Sequence, residues 1–428
     1  MEQNVRDVAW RLLCRAESAG QYSNLALDTA LKRDAVAEAD RALLTVLVYG
    51  VLERRRTLDY WIERLSARPE ETLEPEVRML LRLGLYQMAY LDRVPDHAAV
   101  NETVALAPRR ARGFVNALLR AFARRGKQVE LPDAATDPVT HLAVRFSVGE
   151  ALAARFLERW GFSRTEQLLK AFEERSSLLT LRVNTLRTTR EAYIEELLKR
   201  GIEARPTAVA RDGVQLESRP ITSLYGFEEG LFFVQDEASM RCTEALDAFE
   251  GARVLDLCAC PGSKTFGLAI DMKNRGSLVA RDLHANKLSL VARGAERLGI
   301  SILTVEEGDA RRLRAEERGL YDRVLCDVPC SGFGVIGKKP ELRYKDPKES
   351  CALPDIQLEI ARTGAEYLKE GGRMVYSTCT LLPEENEENV VRLLAACRFL
   401  RLVEERTLLP DTDGCDGFYY AVLERTSL

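Results

Sequence analysis

From residue 251 onward the chain repeats one pattern five times. A short apolar run ends in polar residues, and helix-length stretches fill much of the chain between runs. The runs are GARVLDLCA (251–259), GSLVARD (276–282), ISILTVEEGD (300–309), YDRVLCD (321–327) and GGRMVYST (371–378). Between them lie KTFGLAIDMK, ANKLSLVARGAERLG and PDIQLEIARTGAEYLKE. Strand and helix in alternation leave few architectures open, and the expected one is a parallel sheet covered by helices on both faces. Near the end, DGCDGFYYAVLER reads as a turn followed by a strand that completes the sheet as an antiparallel partner. The acidic PEENEEN at 383–389 reads as a helix opening, where carboxylates favour the N-terminal dipole.

The first part of the chain is different. Residues 1–127 show apolar residues recurring at three and four in DVAWRLLCRAE, RALLTVLVYGVLER, TLDYWIERLS and EVRMLLRLGLYQMAYL, and no run alternates with period two. The expectation is a compact helical bundle, with Trp10 and Trp61 in its apolar stripes and Asp96, after Pro95, capping a helix. QVELPDAATDPV (128–139) reads as a linker, and helices and short strands around LLTLRVNT, GVQLES and GLFFVQD then suggest a small α/β module. The expected domains are residues 1–139, helical; 140–235, small α/β; and 236–428, a Rossmann-like α/β domain.

Composition narrows the function classes. No apolar stretch reaches the roughly 18 residues of a membrane helix, and MEQNVRDVAWRLLCRAESAG reads as an amphipathic helix, so a cytoplasmic protein without a membrane role is expected. Ten cysteines without a CxxC do not form a disulfide framework, and three histidines supply a His-based triad poorly. Net charge is −4, but PRRARGFVNALLRAFARRGK (108–127) carries Arg109, Arg110, Arg112, Arg120, Arg124, Arg125 and Lys127 with no acid. Such a run is either a solvated helix face or a local phosphate-binding surface, because screening makes distant charges nearly irrelevant.

In an open parallel sheet, ligands sit outside the carboxyl ends of the strands. The polar residues there are Asp256 to Thr265, Asp282, Asp309, Asp327 to Ser331, and Cys379. DLCACPGSKT places a tight turn at Pro261 and Gly262 before a helix whose free N–H groups can meet a polar ligand group. Asp282 lies about where a dinucleotide-type fold places the acid that holds ribose hydroxyls. This loop carries neither a full P-loop nor GxGxxG, so nucleoside triphosphates and NAD are disfavoured. A nucleoside cofactor without pyrophosphate fits better: S-adenosylmethionine, with Asp282 on the ribose and Asp309 on the adenine amine.

CDVPCSG (326–332) and YSTCT (376–380) put Cys330 and Cys379 at two strand ends. A thiolate is a strong nucleophile toward electron-poor carbon. Adding one at C6 of a pyrimidine makes C5 nucleophilic enough to take a sulfonium methyl, after which loss of the C5 proton and of the thiol completes the cycle. Chemistry alone leaves open which cysteine attacks. A zinc site of Cys258, Cys260, Cys330 and Cys379 lacks the usual close paired spacing, and no metal is expected. Cys14, Cys242, Cys326, Cys351, Cys397 and Cys415 read as packing residues.

DLCACPGSKT, CDVPCSG and YSTCT, with FVQDEAS (233–239) and RVNTLR (182–187), resemble the Sun-type RNA cytosine-5 methyltransferases. VPDHAAVNETVALA and FVNALLR resemble the NusB-like RNA-binding domain of the bacterial small-subunit ribosomal RNA branch. The resemblance implies methyl transfer from S-adenosylmethionine to C5 of a cytosine in 16S-type ribosomal RNA. It assigns Cys379 as nucleophile and Cys330 to product release, with Asp327 beside the methionine end of the cofactor and the cytosine edge. Lys264 would position substrate or cofactor groups, and the loop Cys258, Ala259, Cys260, Pro261, Gly262, Ser263 and Lys264 would bind the cofactor with Asp282, Asp309 and Asp327. The family loop usually carries alanine at position 260 and a second glycine at 263, which puts a glycine-only conformation at Ser263 in doubt. GKKPELRYK (337–345) is expected to grip RNA phosphates beside the site. The rivals are an inactive RNA-binding scaffold and a transfer-RNA methyltransferase.

Overall fold

The computed structural model describes residues 4–19, 38–66, 72–175 and 178–427. They form two compact units, residues 1–169 with 339–346 and residues 170–338 with 347–428.

The described part of the first unit is helical: α1 (Val5–Ala19), α2 (Glu38–Glu53), α3 (Arg55–Ser66), α4 (Pro75–Tyr90), α5 (Asp96–Leu106), α6 (Arg112–Arg124) and α7 (Pro138–Phe146). α4 is buried on nearly all sides from Val77 to Met88, as a helix at the centre of a bundle must be. That burial includes Arg82, whose guanidinium donates to both oxygens of Asp59 at 2.5 and 2.8 Å and to Glu17 at 2.8 Å. A buried cation is tolerated because it is paired and its donors are used. Trp61 belongs to this core, stacked on Tyr90 and tilted against Phe122. Asp96 does not cap α5. Pro95 holds the cap position without a side-chain bond, and Asp96 instead pairs with Lys127 at 2.7 Å. α8 (Glu150–Arg175) is interrupted at Gly161, whose φ of 73° and ψ of 174° are not helical.

In the second unit a small antiparallel sheet comes first. Its strands are β1 (Leu178–Val183), β2 (Ala204–Pro206), β3 (Gly213–Glu217) and β4 (Phe232–Val234), in the order β2-β3-β1-β4. Leu181, Val183, Val214 and Phe232 pack there with Tyr193 and Leu197 of α9 (Arg190–Lys199). The large sheet contains β5 (Arg253–Asp256), β6 (Ser277–Asp282), β7 (Leu303–Glu307), β8 (Tyr321–Asp327), β9 (Leu368–Thr378), β10 (Leu400–Leu408) and β11 (Phe418–Arg425). Their order is β10-β11-β9-β8-β5-β6-β7. The five strands read from the sequence run parallel, and β11 pairs antiparallel with β9 as expected.

Period two divides the core between the two faces. Val254, Leu278, Leu325 and Val375 pack with α10 (Glu237–Leu246), α11 (Ser263–Asp271) and α12 (Ala285–Leu298). Their neighbours Leu255, Val279, Val324 and Met374 pack with α13 (Leu353–Tyr367) and α14 (Glu387–Ala396) on the other face. From β5 the chain winds outward through β6 and β7, then returns to place β8 and β9 on the opposite side. The switch point therefore lies between the carboxyl ends of β5 and β8, where a crevice opens.

Candidate active site

The crevice is a cavity of about 540 Å³. It brings together Cys258, Cys260, Asp282, Asp309, Asp327, Cys330 and Cys379 of the expected residues. Ala259, Pro261, Gly262, Ser263 and Lys264 do not line it. Leu283, Val328, Leu353, Ile356 and Ile360 give it an apolar wall, and His284, Lys287 and Arg311 add cationic or polar edges.

The loop after β5 shapes the floor. Gly262 has φ 113°, a conformation L side chains rarely adopt, and a Cβ there would come within 2.6 Å of the Phe266 ring. Ser263 begins α11 in helical geometry, so no glycine is required at that position. Thr265, in the first turn of α11, donates to Asp256 Oδ2 at 2.7 Å. Burial pushes the Asp256 carboxyl up to about 7.

Asp282 ends β6 and accepts from the backbone N–H of Cys260 at 3.0 Å and of His284 at 2.9 Å. Each oxygen keeps a lone pair for a hydroxyl donor. Asp309 is gripped by Arg311 through two bonds of 3.0 and 2.9 Å, which hold its carboxyl below the usual range. Lys264 stands behind the cavity wall and donates to Asp327 Oδ2 at 2.7 Å, while Ser377 Oγ donates to Asp327 Oδ1 at 2.9 Å. Burial works against the Lys264 charge, but Asp327 overcomes it and raises its pKa. Asp327 is thus fixed at both oxygens and still reaches the cavity.

The two thiols meet because β8 and β9 are adjacent and in register, Asp327 opposite Ser377. Cys330 Sγ lies 3.1 Å from Cys379 Sγ and accepts from the Cys379 backbone N–H at 3.2 Å. The contact with Cys379, followed by burial, drives the Cys330 thiol well above its ordinary value.

Two expectations are corrected. In GKKPELRYK, Lys338 is committed to Asp236 at 2.7 Å and Asp416 at 2.9 Å. Arg343 is 2% exposed and bonds Glu53 Oε1 and the Phe146 carbonyl, while Tyr344 OH donates to the Glu53 carbonyl and contacts Ser147 Oγ. Lys338 and Arg343 are therefore taken up by protein partners, while Lys339 of the same stretch is exposed. Cys351 is exposed and is not a packing residue, whereas Cys242, Cys326, Cys397 and Cys415 are buried. Among the described residues no group of three or more His, Cys, Asp or Glu could hold a metal ion, and no helix is long and apolar enough to cross a membrane.

A doubly wound sheet with acids at the ends of β6, β8 and just beyond β7, all facing one crevice, is a Rossmann-like fold with the crevice of a nucleoside-binding enzyme. The family model of the 16S rRNA methyltransferases RsmB/F matches residues 243–424, the NusB family residues 3–124, and the ferredoxin-like domain of RsmF/B-like methyltransferases residues 150–222. A probable ribosomal RNA small subunit methyltransferase B of Bacillus subtilis is 40% identical over 391 residues, 90% of this chain and 87% of that protein. The crystal structure of PH0851 superposes with a TM-score of 0.80 at 25% identity, covering 99% of this chain and 100% of the other. A methyltransferase homologue from Pyrococcus horikoshii gives 0.60 at 27% identity, over 67% of this chain and 99% of its own. The chain belongs to the ribosomal RNA small subunit methyltransferase B family.

Proposed function

We propose that the protein methylates C5 of a cytosine in small-subunit ribosomal RNA, with Cys379 as the attacking thiol and Cys330 as the group that releases the product. The observation that carries this reading is the pair of sulfurs 3.1 Å apart on a cavity that also presents Asp282, Asp309 and Asp327. A single thiol would support many chemistries. Two in contact, beside acids suited to an adenosine, support addition followed by elimination.

S-adenosylmethionine suits the residues present. Asp282 has lone pairs left for ribose hydroxyls, Asp309 can accept from an adenine amine, and Leu283 with the α13 side chains offers an apolar wall for the base. The cofactor, when bound, supplies an electrophilic methyl group. Cys379 bonds to C6 of the flipped cytosine, and the electron pair released into the ring makes C5 the nucleophile. Asp327, held by Lys264 and Ser377, is fixed to accept from the cytosine amine edge. Once C5 carries the methyl group, water in the crevice takes its proton, the pair returns to form the C5–C6 double bond, and the C6–S bond breaks to release Cys379 as thiolate. Cys330 assists this last step from 3.1 Å.

The RNA is proposed to lie against α6. Arg109, Arg110, Arg112, Arg120, Arg124, Arg125 and Lys127 are all exposed, while Val115, Leu118, Leu119 and Phe122 bury the other face of the helix. The test compares native protein with Cys379→Ala and Cys330→Ala, using small-subunit RNA and labelled S-adenosylmethionine. Cys330→Ala is expected to trap a protein–RNA adduct on a denaturing gel, and Cys379→Ala to give neither adduct nor label transfer. The reverse pattern would make Cys330 the nucleophile.

A further inference from the structure

The acidic stretch after the second thiol does more than open a helix. Pro383–Glu385 forms a single tight turn before α14, and Glu385 and Asn386 are 1% and 0% exposed. Neither lines the cavity. Glu385 Oε2 accepts from the backbone N–H of Ser331, next to Cys330, at 2.9 Å. It also accepts from Gln357 Nε2 at 2.8 Å, and the same nitrogen reaches the Pro329 carbonyl, on the other side of Cys330, at 2.9 Å. The residues flanking Cys330 are thus tied to one carboxylate and one amide.

Asn386 does the same for the other thiol. Its Oδ1 accepts from Thr378 Oγ1 at 2.5 Å, and its Nδ2 donates to the Thr380 carbonyl at 3.0 Å. Those are the two neighbours of Cys379. The loops are also joined directly, Ser331 Oγ to Thr380 Oγ1 at 2.6 Å, and Tyr376 OH donates to the Glu385 carbonyl at 2.6 Å. All of these hydroxyls and amides are buried. In such an environment each bond is costly to leave unmade.

We propose that Glu385 and Asn386 are the positioning residues of the thiol pair, Glu385 setting the Cys330 loop and Asn386 the Cys379 loop. Two adjacent residues on one turn thereby fix the separation of two groups that come from different strands. The proposal rests on the two-thiol reading above and adds a division of labour to it. Losing Glu385 disturbs release, whereas losing Asn386 disturbs attack. A displacement of about 1 Å at a reacting group costs on the order of 100-fold in rate.

The experiment is single-turnover methylation with adduct detection for Glu385→Ala, Glu385→Gln, Asn386→Ala and Asn386→Asp, beside the two cysteine variants. S-adenosylmethionine affinity is measured by titration calorimetry for each. Expected results are that Glu385→Ala accumulates adduct as Cys330→Ala does, and Asn386→Ala forms adduct slowly. Both should keep native cofactor affinity and RNA KM within about twofold while kcat falls by about 100-fold. Glu385→Gln, which keeps an acceptor for Ser331, should recover release in large part. If Glu385→Ala and Asn386→Ala behave alike, or lose cofactor affinity together with rate while the conservative variants do not rescue, their role is structural and the proposal falls. If the cysteine variants themselves fail to separate adduct formation from release, the two-thiol reading falls and takes this proposal with it.

Discussion

Asp256→Asn is expected to remove a pH dependence of stability that the native protein carries in its large sheet. Asp256 is 1% exposed at the end of β5. Its Oδ2 accepts from Thr265 at 2.7 Å. Burial is the main cause that lifts the carboxyl to about 7, and the Asp327 charge adds to it, while the Thr265 bond and the Lys264 charge oppose. In an unfolded chain the same group titrates near about 3.9. The folded value is therefore the higher one, and folding takes up a proton between those limits. The stability this gives is fully present below about pH 4 and is lost as pH rises through 7. Three pK units at about 1.4 kcal/mol each make the full swing about 4 kcal/mol. Asparagine cannot ionise, so its advantage over the native residue should grow with pH across that window and level off above it. Trp10, Trp61 and Trp160 all belong to the first unit, so fluorescence would report on the wrong part of the chain. Hydrogen exchange of peptides spanning β5 and α11, in increasing urea at several values between about pH 4 and 9, reads the right one. Parallel stability curves for the two proteins would show that Asp256 is ionised in the folded state, and the argument from burial would be wrong.

Two further outcomes test the site and the helical unit. Asp282→Ala removes the acceptor of the Cys260 and His284 N–H groups and the acceptor proposed for the ribose. It should weaken S-adenosylmethionine binding by at least about tenfold in calorimetry, a loss of about 1.4 kcal/mol. Reversing Arg120 and Arg124 to Glu, on the exposed face of α6, should weaken RNA binding and flatten its dependence on salt by about one unit of slope for each phosphate no longer neutralised. Filter binding over a range of KCl concentrations measures both, and an unchanged slope would place the RNA elsewhere.

The large sheet was legible because buried parallel strands leave an apolar signature of their own, and the acids that end them stand out against it. β10 was not. Its sequence LRLVEERTL carries four charges in nine residues because it is an edge strand with six consecutive exposed residues, so no alternation marks it. Asp282, Asp309, Asp327, Cys330 and Cys379 could be named from sequence since each sits at or just beyond a strand end. Leu353, Ile356 and Ile360 could not, because they reach the same cavity from α13 and carry only an ordinary helical stripe. Arg311 had a weak signal, two residues beyond Asp309. The pairing of Lys338 and the burial of Arg343 were invisible, since a basic loop written in one dimension looks the same whether its charges face water or carboxylates.

The helical unit is not one stretch of chain. Eight residues, 339–346, are written far downstream, between the Cys330 loop and α13, yet belong to it. Inheritance of the two units is therefore linked. A gene fragment that ends anywhere before residue 339 encodes the bundle without the segment that supplies Arg343 to Glu53 and Tyr344 to Ser147. A recombination that moved the sheet onto another helical unit would carry along eight residues shaped for the old one. Descent should thus have passed the two down together, and substitutions at Glu53, Ser147, Arg343 and Tyr344 should be correlated among relatives although nearly three hundred positions separate the first from the last.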